Sequence, residues 1–223
     1  MRLLMHQDPL LEISGIIKGP SGFVLDLGLL VIPKGQGLAI LGRSGAGKST
    51  LLRVLAGITP DGFSFEGQRQ VNTNMAFMLQ DNALIEAYSV LRNVMLGALL
   101  RDDILDRVKA AQLLDQVGLA GFGPRRVGSL SGGQARRVSL ARMLYEDAGI
   151  WLLDEPFAGL DIKTRGEVLA EIVAIAQGRS MMLVTHDPRE ARMLGQPIMV
   201  LGGGHLQYFA ADASDDMLLE AMS

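Results

Sequence analysis

Three apolar runs of the chain are each followed by a short turn and then by a helical pattern. The predicted strands are residues 37–41, 150–153 and 181–185. The helical patterns that follow them are, in the same order, residues 49–56, 163–177 and 189–194. Short apolar runs bounded by turn residues are typical of buried strands, and apolar residues three and four apart are typical of helices. The alternation predicts a mainly parallel sheet covered by helices, with a ligand crevice at the carboxyl ends of the strands.

Two regions depart from this alternation. Residues 11–32 and 63–78 contain short apolar segments separated by Gly, Pro, Ser and Asn, which predicts an antiparallel sheet. Further along, Ser89 can cap a helix that runs to residue 100, and residues 102–117 form a second helical pattern that ends at Gly118. We therefore expect a helical subdomain inserted into an α/β core.

The expected domain organisation follows from these patterns. We expect residues 1–223 to form a single domain. Its core, with the antiparallel part, comprises residues 1–80 and 148–223, and the helical subdomain comprises residues 81–147.

Composition and charge narrow the function classes. The chain has 223 residues, a net charge of −3 and no cysteine, which excludes disulfides and thiolate metal sites. No apolar stretch reaches the roughly 18 to 20 residues that span a bilayer, so a membrane role requires a partner. The pairs at residues 125–126 and 136–137 are arginines, but the acidic total favours a solvated helix face over a nucleic-acid surface.

A glycine-rich loop follows the first predicted strand. Residues 42–49 read G-R-S-G-A-G-K-S and fit the phosphate-loop pattern G-x-x-x-x-G-K-S, with a strand before and a helix after. Glycines allow successive backbone N–H groups to point inward, and the helix start adds a positive dipole end. Lys48 is expected to reach the β- and γ-phosphates and Ser49 to ligate Mg²⁺. The alternative is a glycine-rich turn without a ligand.

A second anion-binding helix start is predicted at residues 130–134, L-S-G-G-Q. Ser131 is a good N-cap, the glycines expose backbone N–H groups, and the helix that runs to Tyr145 directs its dipole at an anion ahead of it. Two such starts fit a nucleotide shared between two subunits, and the alternative is an ordinary helix cap.

The segment from residue 130 to residue 142 closely resembles the signature of ABC ATPases, and the resemblance extends over residues 11–206 with all motifs in family order. It implies a P-loop NTPase (RecA-like) fold. It also implies that Asp154 holds Mg²⁺ through water and Glu155 polarises the attacking water. Gln80 matches the glutamine that touches Mg²⁺ and water, and His186 matches the histidine that bonds the γ-phosphate.

The resemblance assigns the remaining nucleotide contacts. Asp161 resembles an aspartate that crosses the dimer interface, but it can equally cap the following helix. Members of the family usually stack adenine on an aromatic residue upstream of the phosphate loop. This chain has Gly19 at the corresponding position, and Phe23 is the nearest aromatic candidate. The expected catalytic residues are Lys48, Gln80, Glu155 and His186, and the expected metal ligands are Ser49, Gln80 and Asp154. The expected nucleotide-binding residues are Phe23, Gly42, Arg43, Ser44, Gly45, Ala46, Gly47, Lys48, Ser49, Thr50, Ser131, Gly132, Gly133, Gln134 and Asp161.

The function implied is the ATP-hydrolysing subunit of a transporter, with ATP and Mg²⁺ as cofactors. The signature and the residues that follow it resemble those of bacterial importer ATPases more than those of exporters. The implied partners are membrane permease subunits, a second ATPase subunit in a head-to-tail homodimer and a solute-binding protein, and the implied location is the cytoplasmic face of the membrane. The alternative is a non-transport ABC ATPase of DNA repair, translation or cell division. A simple kinase or GTPase shares the phosphate loop but does not account for residues 130–134.

Overall fold

A computed structural model describes residues 9–158, 162–176 and 178–222. The strands and helices of these residues are, in chain order, β1 (Leu11–Lys18), β2 (Val24–Ile32), β3 (Gly37–Gly42), α1 (Lys48–Leu55), β4 (Ser64–Val71), β5 (Met75–Met78), α2 (Val90–Val94), α3 (Leu96–Leu100), α4 (Arg107–Gln116), α5 (Gly132–Tyr145), β6 (Ile150–Asp154), α6 (Ile162–Ile175), β7 (Ser180–Thr185), α7 (Pro188–Met193), β8 (Ile198–Gly202), β9 (His205–Phe209) and α8 (Asp215–Ala221).

The chain divides into two compact units. Of the described residues, the core unit comprises 9–75, 148–155, 176 and 178–222, and the helical unit comprises 76–147, 156–158 and 162–175. Among the residues that the structure describes, no helix has both the length and the apolar character needed to cross a membrane.

The sheet of the core unit brings three strand ends to one edge. Within the core unit the strands lie in the order β4-β1-β2-β9-β8-β3-β7-β6. β3 pairs in parallel with β7, and β7 pairs in parallel with β6, as their uninterrupted buried runs predict. Because these strands share a direction, the residues that follow Gly42, Asp154 and Thr185 emerge at the same edge.

The antiparallel part is built on β1, which pairs with β2 on one side and with β4 on the other. Gly15 and Gly67 face each other across the β1–β4 pair, and a Cβ on Gly67 would lie 2.1 Å from the carbonyl oxygen of Ser14. The expectation for residues 63–78 was wrong in part. β4 lies at the sheet edge beside β1, and β5 does not neighbour β1, β2 or β4.

The first helical segment of the helical unit is broken in two. Ser89 caps α2 as expected, since its Oγ accepts a hydrogen bond from the backbone N–H of Arg92 at 3.2 Å. The expectation of one helix to residue 100 was wrong, because Met95 leaves helical geometry before α3 begins. Gly97, a weak helix former, follows directly.

The next helix, α4, begins five residues later than the expected residue 102. Asp102 has a φ of +56°, and Asp106 is the N-cap, whose Oδ1 accepts from the N–H of Lys109 at 2.8 Å. The hydroxyl of Tyr145 accepts from the N–H of Asp106 at 2.9 Å, so a tertiary contact from α5 selects this start. The expected stop at Gly118 is confirmed by its φ of +70°.

Candidate functional site

The loop between β3 and α1 curls around the side chain of Lys48. Gly45 and Gly47 have φ values of +80° and +101°, a region that favours glycine. Lys48 Nζ is buried and donates to the carbonyl oxygens of Gly42 at 2.8 Å and Arg43 at 2.9 Å. Ser49 and Thr50 follow in the first turn of α1, whose amides have no acceptor within the helix. The loop therefore presents a cation and backbone donors together, which suits phosphate oxygens.

Three ionisable side chains meet where β6 and β7 end and α1 begins. Glu155 Oε1 lies 3.7 Å from Lys48 Nζ and 3.3 Å from His186 Nδ1. We call Lys48, Glu155 and His186 the charged cluster. Asp154, the last residue of β6, is buried beside it and only 1% exposed. The structure thus brings together four residues that the sequence places at the ends of three different strands.

Backbone geometry holds Glu155 in a conformation that is unusual for its residue type. Its φ is +47°, in the left-handed region, and its N–H donates to the carbonyl oxygen of Val184 at 2.9 Å. Non-glycine residues in this region cost on the order of 1–3 kcal/mol and cluster at functional sites. The β7 contact fixes the direction in which the carboxylate leaves β6.

Burial controls the charge of Lys48. Removal from water lowers the pKa of the Lys48 ammonium below its ordinary value, and the carboxylates of Glu155 and Asp154 oppose that shift only in part. An anionic ligand in the loop would add a further opposing charge. The site is therefore better suited to holding phosphate against Lys48 than to holding the lysine alone.

A hydrogen-bond network that the sequence analysis did not identify supports His186. The hydroxyl of Thr185 donates to the buried carboxylate of Glu190 and accepts from the N–H of Asp187 at 3.0 Å. Asp187 in turn caps α7 by accepting from the N–H of Arg189 at 2.9 Å. These bonds fix the loop on both sides of His186, whose own side chain is 61% exposed. The available sequence signal was a Thr before the His and a Glu four residues after it.

Phe23 lies directly beside the phosphate loop. A Cβ added to Gly47 would lie 2.5 Å from the ring of Phe23, so the two are in contact. The ring also packs edge-on against Phe63, with centroids 5.6 Å apart. Gly19 has no room for a side chain, because a Cβ there would lie 2.4 Å from the Phe63 ring. An aromatic side chain at position 19 would therefore clash with Phe63 where its ring now lies.

In the helical unit, Ser131 and Gln134 form a reciprocal cap at the start of α5. Ser131 Oγ accepts from the N–H of Gln134 at 3.3 Å, and Gln134 Oε1 accepts from the N–H of Ser131 at 3.0 Å. The expected cap at Ser131 and the expected helix end at Tyr145 are confirmed. Gly132 has open space where a Cβ would lie. The first turn of α5 therefore presents its backbone without side-chain obstruction at this glycine.

Gln80 also lies in the helical unit, with an exposed side chain. Its carbonyl oxygen accepts a hydrogen bond of 2.7 Å from Arg136 Nη1. The expectation that Arg136 lies on a solvated helix face was wrong, because the residue is only 3% exposed and bonds to the main chain. Asp161, expected to cross a dimer interface, lies outside the described residues.

The comparisons with known proteins agree on one family. The family model described as ABC transporter matches residues 29–158. An uncharacterized ABC transporter ATP-binding protein of Haemophilus influenzae is 40% identical over 179 residues, which are 78% of this chain and 74% of that protein. The phosphonates import ATP-binding protein PhnC 1 of Natronomonas pharaonis is 37% identical over 214 residues, covering 88% of this chain and 91% of the relative. The aliphatic sulfonates import ATP-binding protein SsuB 1 of Pseudomonas syringae pv. syringae is 39% identical over 176 residues, covering 78% and 72%.

Solved structures show the same fold. A chain from an ABC transporter described as metal-chelate type and inward-facing has a TM-score of 0.82 and 26% identity, over 96% of this chain and 89% of that chain. The ATP-binding cassette MJ0796, a dimer bound to ADP and Pi, has a TM-score of 0.78 over 92% of this chain and all of that chain. At 24% identity, the second likeness concerns the fold alone.

Proposed function

The chain belongs to the ABC transporter family as an ATP-binding subunit that hydrolyses ATP, and from this premise we propose that the charged cluster of the core unit is where hydrolysis takes place. The observation that carries the proposal is the position of Glu155, whose carboxylate lies between Lys48 and His186 at the edge where three strands end. The predicted P-loop NTPase fold, with its parallel core, antiparallel part and helical insert, is confirmed.

Each member of the cluster has a distinct role in this proposal. Lys48 binds the β- and γ-phosphates from within the curled loop, exchanging its contact with Glu155 for phosphate oxygens. Glu155 then orients the attacking water at Oε1 and accepts its proton. His186 Nδ1 faces Glu155, which leaves Nε2 to bond the γ-phosphate. The position of Glu155 is fixed by its backbone, so little reorganisation is needed.

Mg²⁺ is the proposed metal. Ser49 and Asp154 offer a hydroxyl and a buried carboxylate beside the phosphate loop, and Gln80 offers an amide oxygen; these hard oxygen donors are the ligands that Mg²⁺ prefers. The bound metal would neutralise charge on the phosphate oxygens.

ATP is proposed to lie between two subunits in the head-to-tail dimer. The phosphate loop of one subunit binds one side of the nucleotide, and Ser131 with Gly132 and Gly133 at the start of the second subunit's α5 binds the γ-phosphate. Gln134 contributes by capping α5, and Phe23 is the proposed aromatic neighbour of adenine because its ring touches Gly47. Asp161 is proposed to contact the other subunit.

The transport role places this subunit against membrane permease subunits on the cytoplasmic face of the membrane. Relatives named as import proteins for phosphonates and aliphatic sulfonates support an importer, in which a solute-binding protein delivers the substrate. They also disfavour the alternative of a non-transport ATPase. In this proposal the partner chains, and not this subunit, select the transported solute.

The proposed permease contact is the segment from residue 82 to residue 90, where Ile85 is 37% exposed. Asn93 holds this segment in shape, since its side chain bonds both the N–H of Ile85, at 2.8 Å, and its carbonyl oxygen, at 3.0 Å. Exposed apolar residues on a held segment suit an amphipathic helix of a partner.

Cysteine crosslinking tests the transport role directly, because the natural chain has no cysteine. We expect Ile85→Cys in native vesicles to crosslink to an integral membrane protein, and the matched exposed variant Asp212→Cys in the core unit to give no such product. If Ile85→Cys crosslinks to no membrane protein while ATP hydrolysis is intact, the transporter assignment is wrong and the ATPase works elsewhere.

A further inference from the structure

Arg136 lies in the second turn of α5, and its guanidinium reaches two separate segments of the main chain. Nη1 donates to the carbonyl oxygens of Leu79 and Gln80, both at 2.7 Å, and Nε donates to the carbonyl oxygen of Pro156 at 3.2 Å. The residue is 3% exposed. Gln80 is the proposed metal and water ligand, and Pro156 directly follows Glu155 in the chain.

The chemistry of arginine suits it to fixing distances between acceptors. Its guanidinium is planar and its donors point in set directions, so acceptors bound to different nitrogens are held at a set spacing. Charge-assisted bonds that are shielded from water are stronger than exposed ones. Arg136 therefore holds the carbonyl groups of Gln80 and Pro156, both in the helical unit, at a set spacing.

A second arginine of the same helix provides a comparison. Arg142 donates to the carbonyl oxygens of Asn82 and Ala83, at 2.8 Å and 2.7 Å, and burial lowers its pKa. It anchors the same loop by the same chemistry, but beyond Gln80 rather than at Gln80.

We propose that Arg136 is a positioning residue for hydrolysis, which holds the main chain of Gln80 so that the Gln80 side chain can act on the attacking water. The inference rests on the proposed function of Gln80. Because Arg136 acts through groups that work on the attacking water, its loss lowers kcat. ATP affinity depends mainly on the phosphate loop and changes little.

The test is a double-mutant cycle on the purified full-length chain. We expect Arg136→Met to lower kcat by about ten- to a hundredfold, with KM for ATP within about threefold of wild type. Gln80→Ala lowers kcat as well, and in the Gln80→Ala background Arg136→Met has no further effect beyond about twofold, since it acts through the missing side chain. Arg136→Lys, which keeps the charge and some hydrogen bonds, restores part of kcat.

Arg142→Met is the matched control. It removes a comparable guanidinium from the same helix and lowers stability, but we expect its kcat to stay within about threefold of wild type. If Arg136→Met does not fold, Arg136→Lys takes its place. Its effect on kcat is then measured in the wild-type chain and in Gln80→Ala, and the two effects are compared.

Two outcomes overturn the role of Arg136. One is a double variant whose loss of kcat equals the product of the single losses, and the other is a rise in KM with unchanged kcat. A separate result concerns the proposed function itself: if Lys48→Met still hydrolyses ATP at the wild-type rate, the charged cluster is not the site. If Lys48→Met is inactive but the losses of kcat caused by Arg136→Met and Gln80→Ala multiply, only the role of Arg136 is rejected. The charged cluster then stays the proposed site of hydrolysis.

Discussion

At the scale of single residues, Lys48 and Glu155 are held in states that an isolated chain would avoid. The Lys48 ammonium is buried, and its lowered pKa shows that the loss of hydration outweighs the attraction of Glu155 and Asp154. Glu155 adopts a left-handed backbone conformation. Both features are costs in the nucleotide-free chain, and both place the side chains where phosphate and water are proposed to bind.

Replacement of Lys48 separates function from stability. We expect Lys48→Met to lose ATP binding, because the side-chain charge aimed at the phosphates is gone, yet to unfold at no lower temperature than wild type at neutral pH without nucleotide. Equilibrium ATP binding and thermal unfolding measure the two effects. A clear loss of stability would mean that the hydrogen bonds of Lys48 to Gly42 and Arg43 outweigh its burial.

The pH dependence of the same variant follows from the lowered pKa. In the folded chain Lys48 loses its proton below the ordinary value of 10.5, so between the two pKa values the unfolded chain binds more protons and wild-type stability rises with pH. Lys48→Met lacks this gain. We therefore expect its stability relative to wild type to decline from pH 7 towards pH 10 in denaturant titrations, and a constant difference would contradict the assigned shift.

At the scale of elements, the start of α5 combines a structural role with a proposed nucleotide contact. Ser131 and Gln134 satisfy each other's backbone N–H groups, so the cap is complete before any ligand binds. The same turn is proposed to meet the γ-phosphate of ATP on the other subunit. A substitution can separate the two roles if it keeps the cap and changes the charge.

A matched pair at Ser131 makes this separation. We expect Ser131→Ala to lower the free energy of unfolding by about 1 kcal/mol, because the cap is lost. Ser131→Asp caps equally well and keeps stability, but its carboxylate repels phosphate, so ATP-driven dimerisation should fail. Denaturant unfolding and light scattering with ATP measure the two effects. Dimerisation of Ser131→Asp at the wild-type ATP concentration would remove the nucleotide contact from this turn.

The elements around the strand ends were predictable from local pattern, whereas contacts between elements were not. The strand before Asp154 and the cap at Ser131 depend on neighbouring residues, and both were predicted within a residue or two. The start of α4 depends on Tyr145, which is distant in sequence, and the prediction failed there. The prediction that Arg136 is exposed was wrong for the same reason. Its carbonyl partners lie 20 or more residues away in sequence, whereas an arginine pair on a helix otherwise indicates exposure.

At the scale of the whole molecule, the proposed site is divided between subunits. The charged cluster and the phosphate loop belong to the core unit, and the capped start of α5 belongs to the helical unit. In the proposed head-to-tail dimer, each ATP would be contacted by the core unit of one subunit and the helical unit of the other. We therefore expect nucleotide binding and dimer formation to be one equilibrium, which hydrolysis ends.

Light scattering of Glu155→Gln with and without Mg-ATP tests both the catalytic role of Glu155 and the site shared between subunits. The amide keeps the size of the side chain but cannot accept the proton of water, so we expect ATP binding to persist, turnover to nearly stop and a stable dimer to form only with Mg-ATP. Wild type should dimerise transiently under the same conditions. A Glu155→Gln chain that hydrolyses ATP at the wild-type rate and stays monomeric would contradict both the catalytic role of Glu155 and the shared site.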